Sequence, residues 1–383
     1  MTTTSPSSPD AAMVSRQSLA HGPLGTSLLD IERARRGTGD WSEVHRTLAH
    51  IGPLIDGRDA NLFLGVPAMA LALHLAADGT DRYAGALRTL DAAIDHHTRQ
   101  RLSIAHARID AGRRPAFVEY DLFRGLTGIG ALLLRREPRG PQLKRVLEYL
   151  VRLTEPTLGV TGETVPGWWV DHAPASDTTA TPGGHANAGL AHGISGPLAL
   201  LSLALRAGVT VDGHEAAVHR ICRWLDQIWQ DEHGGPRWPR WVSHRGPADT
   251  QPAVPSWCYG TPGLARAQQL AGIVLADQAR KQMAERALLH CLSDPSQLDT
   301  VADRGLCHGF GGLLRTAQRV AQDAESPATF GDHIDMLTGR VLSVDAPEDP
   351  GFLIGRAGAA LAFQDAASGT EPQGRWDTCL LLV

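Results

Sequence analysis

Two short stretches, SWCYGTPG at residues 256–263 and LCHGFGG at residues 306–312, each place a cysteine two residues before a pair of glycines. Cys258, Cys307 and His308 offer two thiols and one imidazole. That donor set suits zinc, one ion per chain, and leaves a fourth coordination position open, as in catalytic rather than structural sites. Zinc also holds a coordinated thiol as thiolate at neutral pH. Taken singly, each cysteine reads as a small buried apolar residue and the histidine as a hydrogen-bonded loop residue. The shared register of the three favours the metal.

That register belongs to a repeat. A Gly-x-x-Gly step leading into an apolar segment occurs in HGPLG (21–25), RGLTG (124–128), HGISG (192–196), YGTPG (259–263), HGFGG (308–312) and IGRAG (354–358), and LGVPA (64–68) is a seventh copy with Ala68 in place of the second glycine. The first glycines lie 43 to 68 residues apart. Each step is followed by small and aliphatic residues at helical spacing, as in PLALLSLALRA. Between steps lie more charged amphipathic segments such as PQLKRVLEYLVRL and EAAVHRICRWLDQIW.

The expected fold is therefore all-α, an α/α toroid of seven inner and seven outer helices. An open solenoid would give the same periodicity, but the small repeat number and the lack of polar capping repeats favour closure. Glycine at each inner-helix start is expected to allow unusual backbone angles and close approach of neighbouring chain. The residues just before the first glycines, His21, Leu64, Arg124, His192, Tyr259, His308 and Ile354, would then face one central mouth.

His192 can accept or donate a proton beside a zinc-held thiolate, or simply cap a helix. Asp121, four residues before Gly125, reaches the same mouth or serves as an N-cap. His21 has no cysteine or acid near it in sequence and reads as structural. Cys222 and Cys291 lie in outer amphipathic segments and Cys379 near residue 383, so packing is the better reading for these three. Two long polar connections, 156–187 and 233–256, contain Trp168, Trp169, Trp238 and Trp241 near arginines. They read either as an exposed groove for an extended peptide or as lids packed on the ring.

The bulk composition narrows the class. The 383 residues carry 36 basic and 41 acidic groups, a net charge of −5, so no basic footprint for nucleic acid is present. No apolar run approaches the roughly 20 residues of a transmembrane segment. Residues 1–16, rich in Ser, Thr and Pro, read as a disordered tail without a secretory signal, and 17–383 as one domain in the cytoplasm. Five cysteines are too few and too odd in number for a disulfide framework.

With WCYGTPG, CHGFGG, GLAHGISG, YDLFRGLTGIG and DTCLLLV in place, the chain resembles the lanthionine cyclase (LanC-like) family over essentially residues 17–383. The resemblance implies a seven-fold α/α toroid with one zinc on Cys258, Cys307 and His308. It implies addition of a peptide cysteine thiol to dehydroalanine or dehydrobutyrine in a dehydrated precursor peptide, giving a thioether ring. It associates His192 and Asp121 with the proton traffic and places Tyr259 beside a zinc ligand. Better-known stand-alone members carry an arginine four residues before the first zinc cysteine, where this chain has Val254; Arg124, Arg240 and Arg245 are candidates for the missing charge. Some members insert a strand-rich domain in the second repeat, whereas residues 65–125 here read as helical. No dehydratase-like segment precedes the ring, which implies a separate dehydratase.

Three other readings compete. A relative that adds glutathione to dehydrated residues would keep the same zinc ligands. A non-catalytic peptide-binding toroid would hold zinc structurally. An α/α-barrel prenyltransferase or glycosidase lacks its expected Asp ligand motif or its pair of carboxylates here.

Overall fold

A computed structural model describes residues 10–159, 162–173, 181–232, 235–247, 252–368 and 375–383. Its helices are α1 (Ala11–Gln17), α2 (Gly22–Arg35), α3 (Trp41–Ala49), α4 (Val66–Ala77), α5 (Ala84–Asp110), α6 (Phe117–Tyr120), α7 (Leu126–Arg136) and α8 (Pro141–Leu153). They continue as α9 (Ser195–Arg206), α10 (His214–Gln227), α11 (Thr261–Val274), α12 (Gln278–Ser293), α13 (Pro295–Leu298), α14 (Phe310–Asp323), α15 (Gly331–Ser343) and α16 (Arg356–Ser368).

Every Gly step opens a helix, and these seven, α2, α4, α7, α9, α11, α14 and α16, form the inner wall. In α4 only His74 escapes burial, as its run of Ala, Leu and Val dictates. Their partners α3, α5, α8, α10, α12 and α15 bury a single stripe; in α8 it is Leu143, Val146, Leu147, Leu150 and Leu153, one face of a 3.6-residue period. Each inner helix packs on the next, and α16 packs on both α14 and α2. The ring is closed. Among the described residues six long helices stand between the seven inner ones, and next to α2 the short α1 packs instead.

The expected disordered tail needs correction over residues 11–16. Asp10 caps α1 by accepting the N–H of Ala12, and Gln17 ties its far end to Pro53 and Ile55. Residues 1–9 of that tail lie outside the described residues.

Close approach, more than unusual dihedrals, explains the glycines. Among the inner-helix starts only Gly22 and Gly65 have positive φ, at 67° and 72°. A Cβ on the second glycine of a step would instead strike the carbonyl oxygen of the residue three before the first glycine. The separation would be 2.1 Å from Leu122 O at Gly128, 2.0 Å from Trp257 O at Gly263 and 2.0 Å from Leu306 O at Gly312. Each inner helix therefore starts flush against its own lead-in loop.

Those loops join in a main-chain belt. Leu19 N–H donates to Phe63 O (2.9 Å), Leu122 to Ala191 (3.1 Å), Leu190 to Cys258 (2.9 Å), Cys258 to Cys307 (3.2 Å), Cys307 to Leu353 (2.9 Å) and Leu353 to Ala20 (3.1 Å). Between the second and third repeats the Phe63 and Phe123 rings stack at 4.5 Å.

The fold is not purely helical. The connections carry short strands β1 (Thr157–Leu158), β2 (Thr164–Val165), β3 (His185–Asn187), β4 (Gln230–Glu232), β5 (Gly235–Arg237), β6 (Trp241–Ser243) and β7 (Gly246–Pro247). β3, β6 and β7 form an antiparallel sheet in that order, with Asn187 opposite Trp241. The sheet takes the long connections over the mouth, which the alternation of apolar and polar residues there was too brief to reveal. Of the two readings of the four tryptophans, packing holds for three, which are buried: Trp168 meets Trp224 edge-on at 5.4 Å, Trp169 donates to Gly183 O at 2.9 Å, and Trp238 packs on Trp229 at 4.8 Å. Packing is their role, and only Trp241 is half-exposed.

Beneath the mouth, residues 376–382 fill the middle of the ring. Trp257 Nε1 donates to Leu380 O (3.0 Å), Arg266 donates to Leu382 O (2.7 and 3.0 Å), and Asp377 accepts from Arg315 (2.7 Å) and Arg319 (2.6 Å). All of these residues are buried.

Candidate metal centre

Cys258 and Cys307 occupy the same place in adjacent repeats, two residues before the first glycine, where the belt joins them backbone to backbone. With His308 they form a group whose donor atoms all lie within 4.8 Å of one another. No other such group of His, Cys, Asp or Glu occurs among the described residues. Two sulfurs and one nitrogen are the soft and borderline donors that suit a zinc-like ion. Hydrogen bonding from the Cys307 thiol, with His308 and Ser256 adding to it, holds Cys258 well below the ordinary thiol range against the opposing effect of burial. That bond to Cys258 pushes Cys307 up, and a separate hydrogen bond to Cys258 raises His308. A thiolate is thus already favoured at Cys258.

The other cysteines behave otherwise. Burial pushes Cys222 and Cys291 up to about 12 and Cys379 higher still. They are apolar packing residues.

Local turn chemistry builds the rest of the site. Asp121 ends α6 and uses one carboxylate oxygen, Oδ1, to accept the backbone N–H groups of Arg124 (2.7 Å) and Gly125 (2.8 Å). Its other oxygen, Oδ2, meets His192 Nδ1 at 2.6 Å. Asp121 thus ties the turn that leads into α7, whose N-cap is Gly125, and touches His192 from behind. An ionised carboxylate only accepts, so Nδ1 carries the proton and Nε2 of His192 is the acceptor. The His192 ring stacks on Phe123 at 4.8 Å and approaches the Tyr259 ring at 5.9 Å. Burial raises the Tyr259 hydroxyl to about 12, with a hydrogen bond from Asn187 pulling the other way. Gly189 packs so closely on Tyr259 that a Cβ would lie 2.7 Å from its ring.

A cavity of about 310 Å³ brings these groups together; Cys258, Cys307, His308, His192 and Tyr259 all line it, with Phe123, Arg240 and Val254. Asp121 lies behind His192, only 1 % exposed. His21 does not line the cavity; it pairs at 2.8 Å with Asp349, an acid 328 residues away that no local reading of the sequence connects to it. Phe123 and Asn187 went unrecognised as site residues. For Phe123 the signal was there, since it holds the same repeat position as the two cysteines.

Comparison with known proteins bears on the family and the fold. The family model for lanthionine synthetase C-like proteins matches residues 14–381. The nisin biosynthesis protein NisC of Lactococcus lactis subsp. lactis is 26% identical over 323 residues, covering 79% of this chain and 73% of that protein. The solved structure of a nisin cyclase superposes with a TM-score of 0.78 at 19% identity, covering 96% of this chain and 93% of that one.

Proposed function

Because the chain belongs to the lanthionine synthetase C-like family, we propose that it is a zinc-dependent lanthipeptide cyclase that closes thioether rings in a dehydrated precursor peptide. The observation that carries this reading is the convergence of Cys258, Cys307 and His308 on one cavity with the His192–Asp121 pair.

Cys258, Cys307 and His308 would hold one zinc ion, which when bound would lower the pKa of a substrate thiol. The remaining chemistry belongs to the chain. The substrate thiol loses its proton and its sulfur bonds to the β-carbon of a dehydro residue. The double-bond pair shifts toward the neighbouring carbonyl, and the α-carbon then takes a proton. His192 Nε2 accepts and returns that proton, because Asp121 fixes the tautomer and orients the ring through Nδ1. Tyr259 lines the cavity and, with its hydroxyl raised by burial, keeps its proton at neutral pH. Phe123 supplies the flat face that holds the imidazole in plane.

The substrate already contains dehydrated Ser or Thr, so a dehydratase must act before this protein, and we assign that step to a separate partner. No helix of the described residues is long and apolar enough to cross a membrane. The described cysteines are all free thiols, and the compartment that keeps them reduced is the cytoplasm.

Thiol addition leaves peptide mass unchanged, so the test counts thiols that iodoacetamide can still alkylate. Wild-type protein should contain about one zinc by elemental mass spectrometry and remove one alkylatable thiol per ring. Cys307→Ala should hold little zinc and form no ring. Well-folded wild-type protein without zinc would sink the thiol-activation mechanism, and transfer of glutathione without ring closure would redirect the reading to a glutathione-adding relative.

A further inference from the structure

The seam of the ring holds a second histidine–carboxylate pair. His21 Nδ1 meets Asp349 Oδ2 at 2.8 Å, and Asp349 Oδ1 accepts the backbone N–H of Gly351 at 2.6 Å. Asp121 is used in the same way, with one oxygen on turn N–H groups and the other on His192 Nδ1. In each pair the acid comes from one lead-in loop and the histidine from the next loop around the ring, directly before the first glycine of its step. With Nδ1 given to an ionised carboxylate, Nε2 is the acceptor of His21. Its side chain is 47 % exposed.

The belt fixes where that pair stands. Ala191 N–H donates to Cys258 O (3.1 Å), Cys258 to Cys307 (3.2 Å), Cys307 to Leu353 (2.9 Å) and Leu353 to Ala20 (3.1 Å). The residues that follow these five are His192, Tyr259, His308, Ile354 and His21. His308 is therefore the middle of a row that has a His–Asp pair two links away on each side. At about 5 Å per hydrogen-bonded link, the main chain of each outer histidine lies roughly 10 Å from that of His308. The cavity takes its walls from the metal group and the His192 side, without Ile354 or His21. His308 itself is 53 % exposed, so the metal group is not sealed inside that cavity.

Addition of sulfur to the β-carbon makes the C–S bond and breaks the carbon–carbon π bond. The electron pair moves onto the neighbouring carbonyl and returns to bind, at the α-carbon, the proton that the thiol gave up, so the peptide gains and loses nothing overall. Sulfur comes to the metal group, and the α-carbon lies one bond beyond the carbon that receives it. The proton moves only to or from a group within hydrogen-bond reach. For a peptide lying in one direction along the row, exchanging the order of cysteine and dehydro residue moves the α-carbon to the other side of the metal group. His192 serves one side only.

We propose that His21, held by Asp349, is a second acid–base residue of the mouth, which takes and returns the substrate proton when the dehydro residue lies on the seventh-repeat side of the metal group. The assignment rests on the cyclase reading above. The test uses the full-length zinc-loaded protein and two synthetic peptides of equal composition, one with dehydroalanine before the cysteine and one with it after. His21→Asn keeps an N–H for Asp349 but has no second ring nitrogen. It should lower kcat by about 10²- to 10⁴-fold on one peptide and stay within about threefold of wild type on the other, with zinc content unchanged. His192→Asn should show the opposite preference. A pair that only fastened the seam would instead lower the melting temperature and affect both peptides alike. Activity of His21→Asn near wild type on both peptides, an equal loss on both, or a wild type that closes only one of the two rings would overturn the proposal while leaving the cyclase reading intact. Zinc-loaded wild type that closes neither ring would remove both.

Discussion

The backbone N–H of Cys258 donates to the carbonyl oxygen of Cys307 at 3.2 Å. The two thiols are thereby spaced by main chain, and the main chain is itself set by how tightly each inner helix abuts its loop.

Gly312 carries that contact for Cys307, since a Cβ there would lie 2.0 Å from Leu306 O. Gly312→Ala is expected to cost about 1–3 kcal/mol of stability through overpacking and, by displacing the loop, to weaken zinc at least tenfold in competition with a chromophoric chelator. Gly331→Ala, at a helix start with open space around it, should change neither. Unaltered zinc affinity in a destabilised Gly312→Ala protein would separate helix docking from ligand spacing.

Asp121 has two jobs that substitution can divide. Asparagine keeps an oxygen for the N–H groups of Arg124 and Gly125 but presents an N–H₂ to His192, forcing the opposite tautomer. Asp121→Asn should retain its melting temperature within a few degrees and its zinc, yet lose kcat by about 10²- to 10⁴-fold. Asp121→Ala should lose the same activity and a further ~1 kcal/mol of stability with the two turn hydrogen bonds. Equal melting temperatures for the two variants would argue against a stabilising role for those turn bonds.

Asp377 makes stability depend on pH in a stated direction. Burial alone would raise its carboxyl, but Arg315 and Arg319 overcome that and hold it at about 2. Its folded value lies below the unfolded value of about 3.9. The folded state therefore binds fewer protons in this range, and the contribution is complete above pH ~4 and lost as pH falls toward 2. Denaturant melts from pH 7 to pH 2 should show wild type losing about 2 kcal/mol from this group over that window. Asp377→Asn, which removes the buried anion that Arg315 and Arg319 share, should be about 3–5 kcal/mol weaker at pH 7 and should approach wild type at low pH. A constant gap between the two proteins would refute the ion-pair account.

The sequence carried much of this because repeats expose register. The Gly steps marked all seven inner helices, and the offset of Cys258, Cys307 and His308 from their glycines was enough to bring together residues 49 positions apart. What it hid depends on contacts without periodic signal. The pairing of His21 with Asp349 spans the ring closure, and the β3–β6–β7 sheet is made of strands two or three residues long. The tryptophans left groove and lid undecided for a related reason: their neighbours are polar, but the surface that covers them comes from distant helices such as α10, which supplies Trp224. Arg240 could be named beside Arg124 and Arg245, but only the path of the connection singled it out.

The belt has a further consequence for how the molecule is made. Its closing bond joins Leu353 to Ala20, and the contacts of that junction link residues more than three hundred positions apart. Six repeats can zip together locally, each on its predecessor, but the seventh must find the first across the full contour of the chain. Such contact order slows folding and leaves two unsatisfied rims until the last step. Loops that space the metal ligands, and residues 376–382 that fill the centre beneath them, reach their final places together. Only when the seventh repeat docks does Cys307 gain the bond it donates to Leu353, which fixes its loop.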